Sequence, residues 1–232
     1  MTSAAPADAL PAALPQARQQ SLGEEIANSI SHGLALLAAL AAAPFLVVGA
    51  VQHGDAADIV GASIFAATMV LLYATSMLYH AMPASALKGA SRAKRVFQVL
   101  DHSAIYLLIA GSYTPFTLGV LRGPWGWTLF GLVWAMALAG VAVKALAGIR
   151  YPRVSTVLYL AMGWIAVVAI KPMWQLMPAW GLFWLVAGGV AYTLGVAFFA
   201  TDGRVRYGHF VWHLFVAAGT ACHFIAVLYY AI

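Results

Sequence analysis

The sequence predicts an all-α membrane protein: a seven-transmembrane helix bundle with the N-terminus cytoplasmic and the C-terminus outside. Three observations carry this. Hydrophobic residues fill 63% of the 232 positions and charged residues only 8%, where a soluble domain carries about 25%. The apolar residues fall in long runs with short breaks between them, and a spanning helix needs roughly 20 such residues. Lysines and arginines are abundant in alternate breaks and scarce in the others, which is the pattern that sets orientation in a membrane.

The elements follow in chain order. Residues 1–20 are rich in Ala, Pro and Gln, with one basic residue, Arg18. They lack the apolar core of a cleavable signal peptide and are expected to form a disordered tail ahead of a single domain over 21–232. Seven segments qualify as spans: 29–51, 58–82, 98–120, 125–147, 154–171, 180–200 and 209–231. The first is expected to act as an uncleaved signal anchor. The fifth is the shortest and is expected to end at Lys171-Pro172. Pro44 and Pro115 fall inside segments, where neighbouring helices can satisfy the backbone freed at a kink.

Ten basic residues collect on one side: Arg18, then Lys88, Arg92, Lys94 and Arg95, then Lys144, Arg150 and Arg153, then Arg204 and Arg206. Only Arg122 and Lys171 fall on the other. Basic loops stay inside, so the N-terminus is expected in the cytoplasm. Trp125, Trp127, Trp174 and Trp180 lie at segment ends on the outer side, as interfacial aromatics do. The run Lys88 to Arg95 is expected to be an inner loop resting on anionic lipid headgroups. Nucleic acid is not expected as a partner, and no Walker or dinucleotide fingerprint is present. Cys222 is the single cysteine, so no intrachain disulfide forms.

Ionisable groups inside membrane segments are costly, and their default reading is functional. Here they converge. His80 and Ser76 close the second segment, Asp101 opens the third in its first turn, and His209 and His213 open the seventh. Glu24, Glu25, Asn28 and His32 stand at the start of the first. The orientation brings all of these to one membrane depth. Residues four apart share a helix face, so His209 pairs with His213 and Ser76 with His80, while Glu24, Asn28 and His32 share a third face. Asp101 and Ser112, about three turns apart, also share one.

Three imidazoles with one open position are the ligand set of a catalytic zinc. His80, His209 and His213 are the expected metal ligands, with Asp101 holding or deprotonating a water and Ser76 donating to that water or to a developing oxyanion. Glu25, Asn28 and His32 are the candidates for an outer shell around the ligands. Each feature alone has a plainer reading. A His-x-x-x-His pair can hydrogen-bond neighbouring helices, Asp101 can balance Arg95, Ser76 can bond its own helix backbone, and Glu24 and Glu25 can cap the first helix. His223, ten residues beyond His213, is about 15 Å away along the helix and is expected to serve packing or hydrogen bonding. His53 falls in an outer loop, and His102 is expected on another face than Asp101.

Taken in order, these residues resemble the haemolysin III family, the bacterial branch of the progestin and adipoQ receptor (PAQR) family. The matching stretches are Glu24 to Gly33, Ser76 to His80, Leu100 to Tyr106, Ala110 to Phe116, and His209 to His213 with His223-Phe224. Together they span nearly the whole chain from Ser21. The resemblance implies seven helices, an inside N-terminus and a cytoplasm-facing zinc site, its ligands falling on His80, His209 and His213. It places the family's water-holding aspartate on Asp101 and its motif serine on Ser76. In this arrangement the family is similar to alkaline ceramidases, within a proposed superfamily of membrane hydrolases. The expected protein is therefore a multi-pass protein of a bacterial inner (cell) membrane, hydrolysing a membrane lipid's amide or ester bond. Its rivals are a membrane-perturbing cytolysin, as the family name suggests, a receptor or regulator of membrane homeostasis with structural zinc, and a proton or ion pathway.

Overall fold

A computed structural model describes residues 18–82 and 91–232. Among them are seven helices long and apolar enough to cross a membrane. They are α1 (Leu22–His53), α2 (Ala56–Ala81), α3 (Arg92–Val120), α4 (Pro124–Ala147), α5 (Pro152–Leu176), α6 (Ala179–Thr201) and α7 (Gly208–Tyr230). The described residues contain no strand. Sequential neighbours pack on one another, and α1 also packs on α7.

Burial is uneven. Over the apolar stretch of each helix, 56% of α2, 61% of α3 and 39% of α7 is inside the bundle, against 11% to 28% elsewhere. The three helices with Ser76, His80, Asp101, His209 and His213 are therefore the three most enclosed. Close approach of α2 and α3 depends on Gly61, where a Cβ would come 2.9 Å from the Cα of Pro115.

Helix ends differ from the expected segments wherever the first turn is polar. α1 starts at Leu22 rather than near 29, because Ser21 and Glu24 form a capping box. Such a box satisfies two of the backbone N–H groups that a helix start leaves free. α3 starts at Arg92, with Ser91 as its cap. Asp101 consequently lies in the third turn of its helix, not the first. α5 continues past Lys171-Pro172 to Leu176 through a tight 3-10 stretch at Ile165–Ala169. Pro172 falls in the first turn of the restarted α-helix, where its missing N–H has no partner to lose.

Neither internal proline breaks its helix. After Pro115 the chain widens into one π-helical stretch at Phe116–Val120. The Thr114 and Thr117 hydroxyls donate to the carbonyls of Ala110 and Tyr113 there.

Of the tail expected over 1–20, residues 1–17 lie outside the described residues, and 18–20 rest against α1. Arg18 forms a two-pronged ion pair with Glu24 at 2.6 and 2.7 Å, and Gln20 accepts from Asn28 at 2.6 Å. Within the basic run, Lys88 also lies outside the described residues. Lys94 departs from the headgroup expectation, since it is buried and donates to Glu25 and to the Met82 carbonyl, both at 2.8 Å. Early helix formation turns it inward, while Arg92 and Arg95 stay exposed.

At the opposite end of the bundle Arg122 bridges Asp55 and Asp58, joining the α1–α2 turn to the α3–α4 turn. Trp125, Trp127, Trp174 and Trp180 are all exposed at this end.

Candidate metal centre

Two helices deliver the three histidines. His80 is in the last turn of α2, and His209 and His213 are one turn apart at the start of α7. One ring nitrogen from each lies within 4.8 Å of the others. The ring centroids are 4.8 to 5.1 Å apart. Two nitrogens bound to one zinc lie at most about 4 Å apart, so a small ring rotation closes the set.

The more telling feature is which nitrogen each ring has free. Nδ1 of His80 is 2.6 Å from Glu25 Oε2, and Nδ1 of His209 is 2.8 Å from Asp202 Oδ2. Nδ1 of His213 is 3.2 Å from the Asn28 carbonyl and 3.0 Å from the Ser31 hydroxyl. Carboxylates and carbonyls only accept, so each Nδ1 carries the proton and donates it outward. In the neutral ring Nε2 then keeps its lone pair for a metal. This is how metal-binding histidines are oriented and their basicity raised. His80 Nε2 is buried without a hydrogen-bond partner, an arrangement that costs free energy unless something else fills it.

The outer partners are themselves held. Glu25 accepts from Lys94 as well as His80, so α1, α2 and α3 are tied in one Lys–Glu–His chain. Glu24 closes the cap of α1 and accepts from the backbone N–H of Tyr207 at 2.8 Å. Tyr207 has a left-handed backbone, φ 58°, just before α7, and Glu24 pins that turn two residues ahead of His209. The two neighbouring glutamates thus divide the work, one capping and anchoring, the other facing a histidine.

Asn28 and His32 meet the site differently from one another. Asn28 reaches His213 through its backbone carbonyl, while its side-chain amide turns to Gln20. His32 stacks on His213, with centroids 3.4 Å apart and rings 8° from parallel. Both of its ring nitrogens are buried without partners.

Ser76 does not bond back to its own helix, for its hydroxyl is buried and unpartnered. By contrast, Thr68 and Thr75 on the same helix both donate to preceding carbonyls. Asp101 is buried, and with Ser76, His32, His209 and His213 it lines a cavity of about 100 Å³. Ser112 lines it too, on the face shared with Asp101.

His102, expected on a different face from Asp101, also lines this cavity. The space spreads across the side of α3 rather than following one row of residues. His223 lies at its far end, and His53 is exposed at the last residue of α1. Asp202 and Ser31 were not among the residues expected from sequence. The only local signal for Asp202 is an acid in the short polar break before His209, in the turn Asp202-Gly203.

These donors fit a metal ion. Three neutral imidazoles with no thiolate leave a coordination position for water or substrate, as in catalytic rather than structural zinc sites. A cavity wall with a carboxylate and a free hydroxyl stands beside them.

The comparisons agree with the architecture. A family model described as "Haemolysin-III related" matches residues 20–224. Hemolysin-3 of Bacillus cereus is 40% identical over 213 residues, covering 92% of this chain and 94% of that protein. The Hemolysin-3 homolog of Bacillus subtilis (strain 168) is 40% identical over 212 residues, covering 91% and 96%. Human Monocyte to macrophage differentiation factor is 31% identical over 215 residues, covering 89% and 84%, which supports the wider PAQR relation. Seven apolar helices and these relatives together make this a multi-pass membrane protein, and the chain belongs to the haemolysin III family.

Proposed function

We propose that this protein is a zinc-dependent hydrolase of a lipid amide or ester, seated in a bacterial cell membrane with its metal centre facing the cytoplasm. One observation carries the reading most: three histidines clustered with a ring nitrogen of each within 4.8 Å of the others, whose Nδ1 atoms are all engaged by other partners, which leaves Nε2 of each neutral ring for a metal. The facing rests on the basic residues gathered at the same end of the bundle as the histidines. Asp101 and Ser76 are the proposed catalytic residues, and Glu25, Asp202 and the Asn28 carbonyl orient the ligands.

Zinc held by His80, His209 and His213 would supply Lewis acidity, lowering a water's pKa and polarising a carbonyl. The protein's own groups supply the rest. The Asp101 carboxylate accepts a proton from the attacking water and returns it to the leaving amine or alkoxide, so the C–N or C–O bond breaks as the new C–O bond forms. The Ser76 hydroxyl, free of its helix backbone, donates to the carbonyl oxygen as charge builds on it. The mostly apolar remainder of the cavity wall excludes water and suits a lipid chain.

The test is turnover of a broad panel of lipid amides and esters by purified protein, beside Asp101→Ala and Ser76→Ala. The reading requires activity in the wild type, with Asp101→Ala keeping zinc but losing hydrolysis. Loss of a donor to the oxyanion reduces kcat by about 100-fold or more, and Ser76→Ala should show that. Zinc-loaded wild type that cleaves nothing in the panel overturns the enzyme reading.

The name of the Bacillus cereus relative, Hemolysin-3, favours a second reading, a membrane-perturbing cytolysin. Lysis of red cells by added protein, undiminished in His209→Ala, would establish it in place of the enzyme. A receptor or regulator with structural zinc would instead lose thermal stability on chelation without ever showing turnover.

A further inference from the structure

His223 is a polar group that the metal centre does not use. It lies on α7 ten residues past His213, about 15 Å along the helix, and is nine-tenths buried. It lines the cavity that begins at the histidines and also a second cavity of about 140 Å³ beyond it. The two share Ser112, Tyr113, Gly163, Trp164, Gly189 and His223, so they form one elongated space with His223 at the junction.

The hydrogen bonding of the ring leaves one specific vacancy. Nε2 is 3.2 Å from the Leu185 carbonyl, which can only accept, so Nε2 carries the proton. Nδ1 is therefore an acceptor, and it is buried without a partner. Neighbouring donors are committed elsewhere. Thr220 donates to Val216 O at 2.9 Å, and Tyr192 lies 2.8 Å from Thr220 Oγ1, so the Tyr192 proton fills that bond. The ring also has room made for it, since a Cβ at Gly188 would come 2.6 Å from Nε2. A buried acceptor on the wall of an apolar cavity selects a ligand with a donor at that depth.

We propose that this cavity seats a lipid chain with a hydroxyl group in mid-chain, and that His223 Nδ1 accepts the hydroxyl's hydrogen bond. The proposal rests on the reading that the cavity receives the lipid substrate's chain, and it adds the substrate class: a hydroxylated chain, with the hydroxyl about 15 Å from the metal centre. No bond is made or broken at His223. It is a specificity residue, separate from the residues that act on the scissile bond.

The test is binding, read from intrinsic fluorescence, because Trp164 and Trp212 line the cavity. Stearate, 2-hydroxystearate and 12-hydroxystearate are titrated into the purified wild type, His223→Leu and Asp101→Ala. One buried hydrogen bond is worth up to about a tenfold difference in Kd. The wild type should bind 12-hydroxystearate about five- to tenfold more tightly than either competitor. His223→Leu should bind all three alike. Asp101→Ala should keep the preference, so that loss of hydrolysis and loss of chain selection are read apart. Equal binding of the three by the wild type, or binding of none, overturns the proposal whether or not His223→Leu folds.

Discussion

The two ends of the bundle both gather charged and polar side chains, and they treat them in opposite ways. At the end rich in tryptophan, Arg122 stands between Asp55 and Asp58, and the three groups complete one another. Asp55 also caps α2, and Asp58 accepts the backbone N–H of Asp55. The Arg122 guanidinium holds the Asp55 carboxyl down at about 2. Nothing there points at an open centre. At the histidine end each ligand's Nδ1 is satisfied just as fully, but other buried atoms are not: His80 Nε2, both nitrogens of His32, Asn28 Oδ1 and the Ser76 hydroxyl are buried and unpartnered. A clamp closes its hydrogen bonds internally, and a binding site leaves some for a visitor. The difference separates the two ends more clearly than their charge does.

Chelation should divide them most sharply. A ligand present at a thousand times its Kd adds about 4 kcal/mol of stability, which for a chain of this length is about 10 °C in Tm. Zinc removal should lower the Tm of the wild type by that order, and should lower an Arg122→Ala variant by the same increment. A Tm indifferent to chelation and zinc return would place the histidine end with the clamps.

The outer partners allow a finer cut. Asp202→Asn and Glu25→Gln remove a carboxylate behind one histidine without touching a ligand. Such changes weaken metal binding by about 10- to 100-fold, and competition with a zinc-sensitive dye should report a loss in that range. Asp55→Asn at the far end should leave zinc affinity unchanged. An equal effect from both ends would mean that the fold, not the site, responds.

The smallest effect belongs to the clamp itself. Arg122 and Asp55 are each about half exposed, and exposed ion pairs contribute little to stability. Asp55→Asn, which leaves Arg122 on the buried Asp58, should therefore give the smallest change in Tm, with zinc retained. The Asp55 carboxyl is depressed in the folded state, so its contribution is full above about pH 4 and disappears as the pH falls through about 2. Melting curves between pH 5 and 8 should show no effect from this group.

Much of this was legible in the sequence, and the misses share a cause. The seven spans and the pairing of His209 with His213 follow from hydropathy and from residues four apart, both local patterns. The early starts of α1 and α3 were hidden because their first turns are polar and held by caps at Ser21 and Ser91. That moved Asp101 two turns deeper into its helix and turned Lys94 inward. The partnership of Glu25 with His80 spans 55 residues, and no periodicity links positions on different helices. Asp202 gave even less, since a lone acid before a helix is common. Facing alone excludes His102, because shared facing describes a straight row of residues and not a broad cavity.

The most direct test of the central claim is metal content. Purified wild type should hold one zinc per chain, and His80→Ala and His213→Ala, folded by circular dichroism, should hold none or bind it at least 100-fold more weakly. Full zinc in both histidine variants would contradict the site, and with it the hydrolase built upon it.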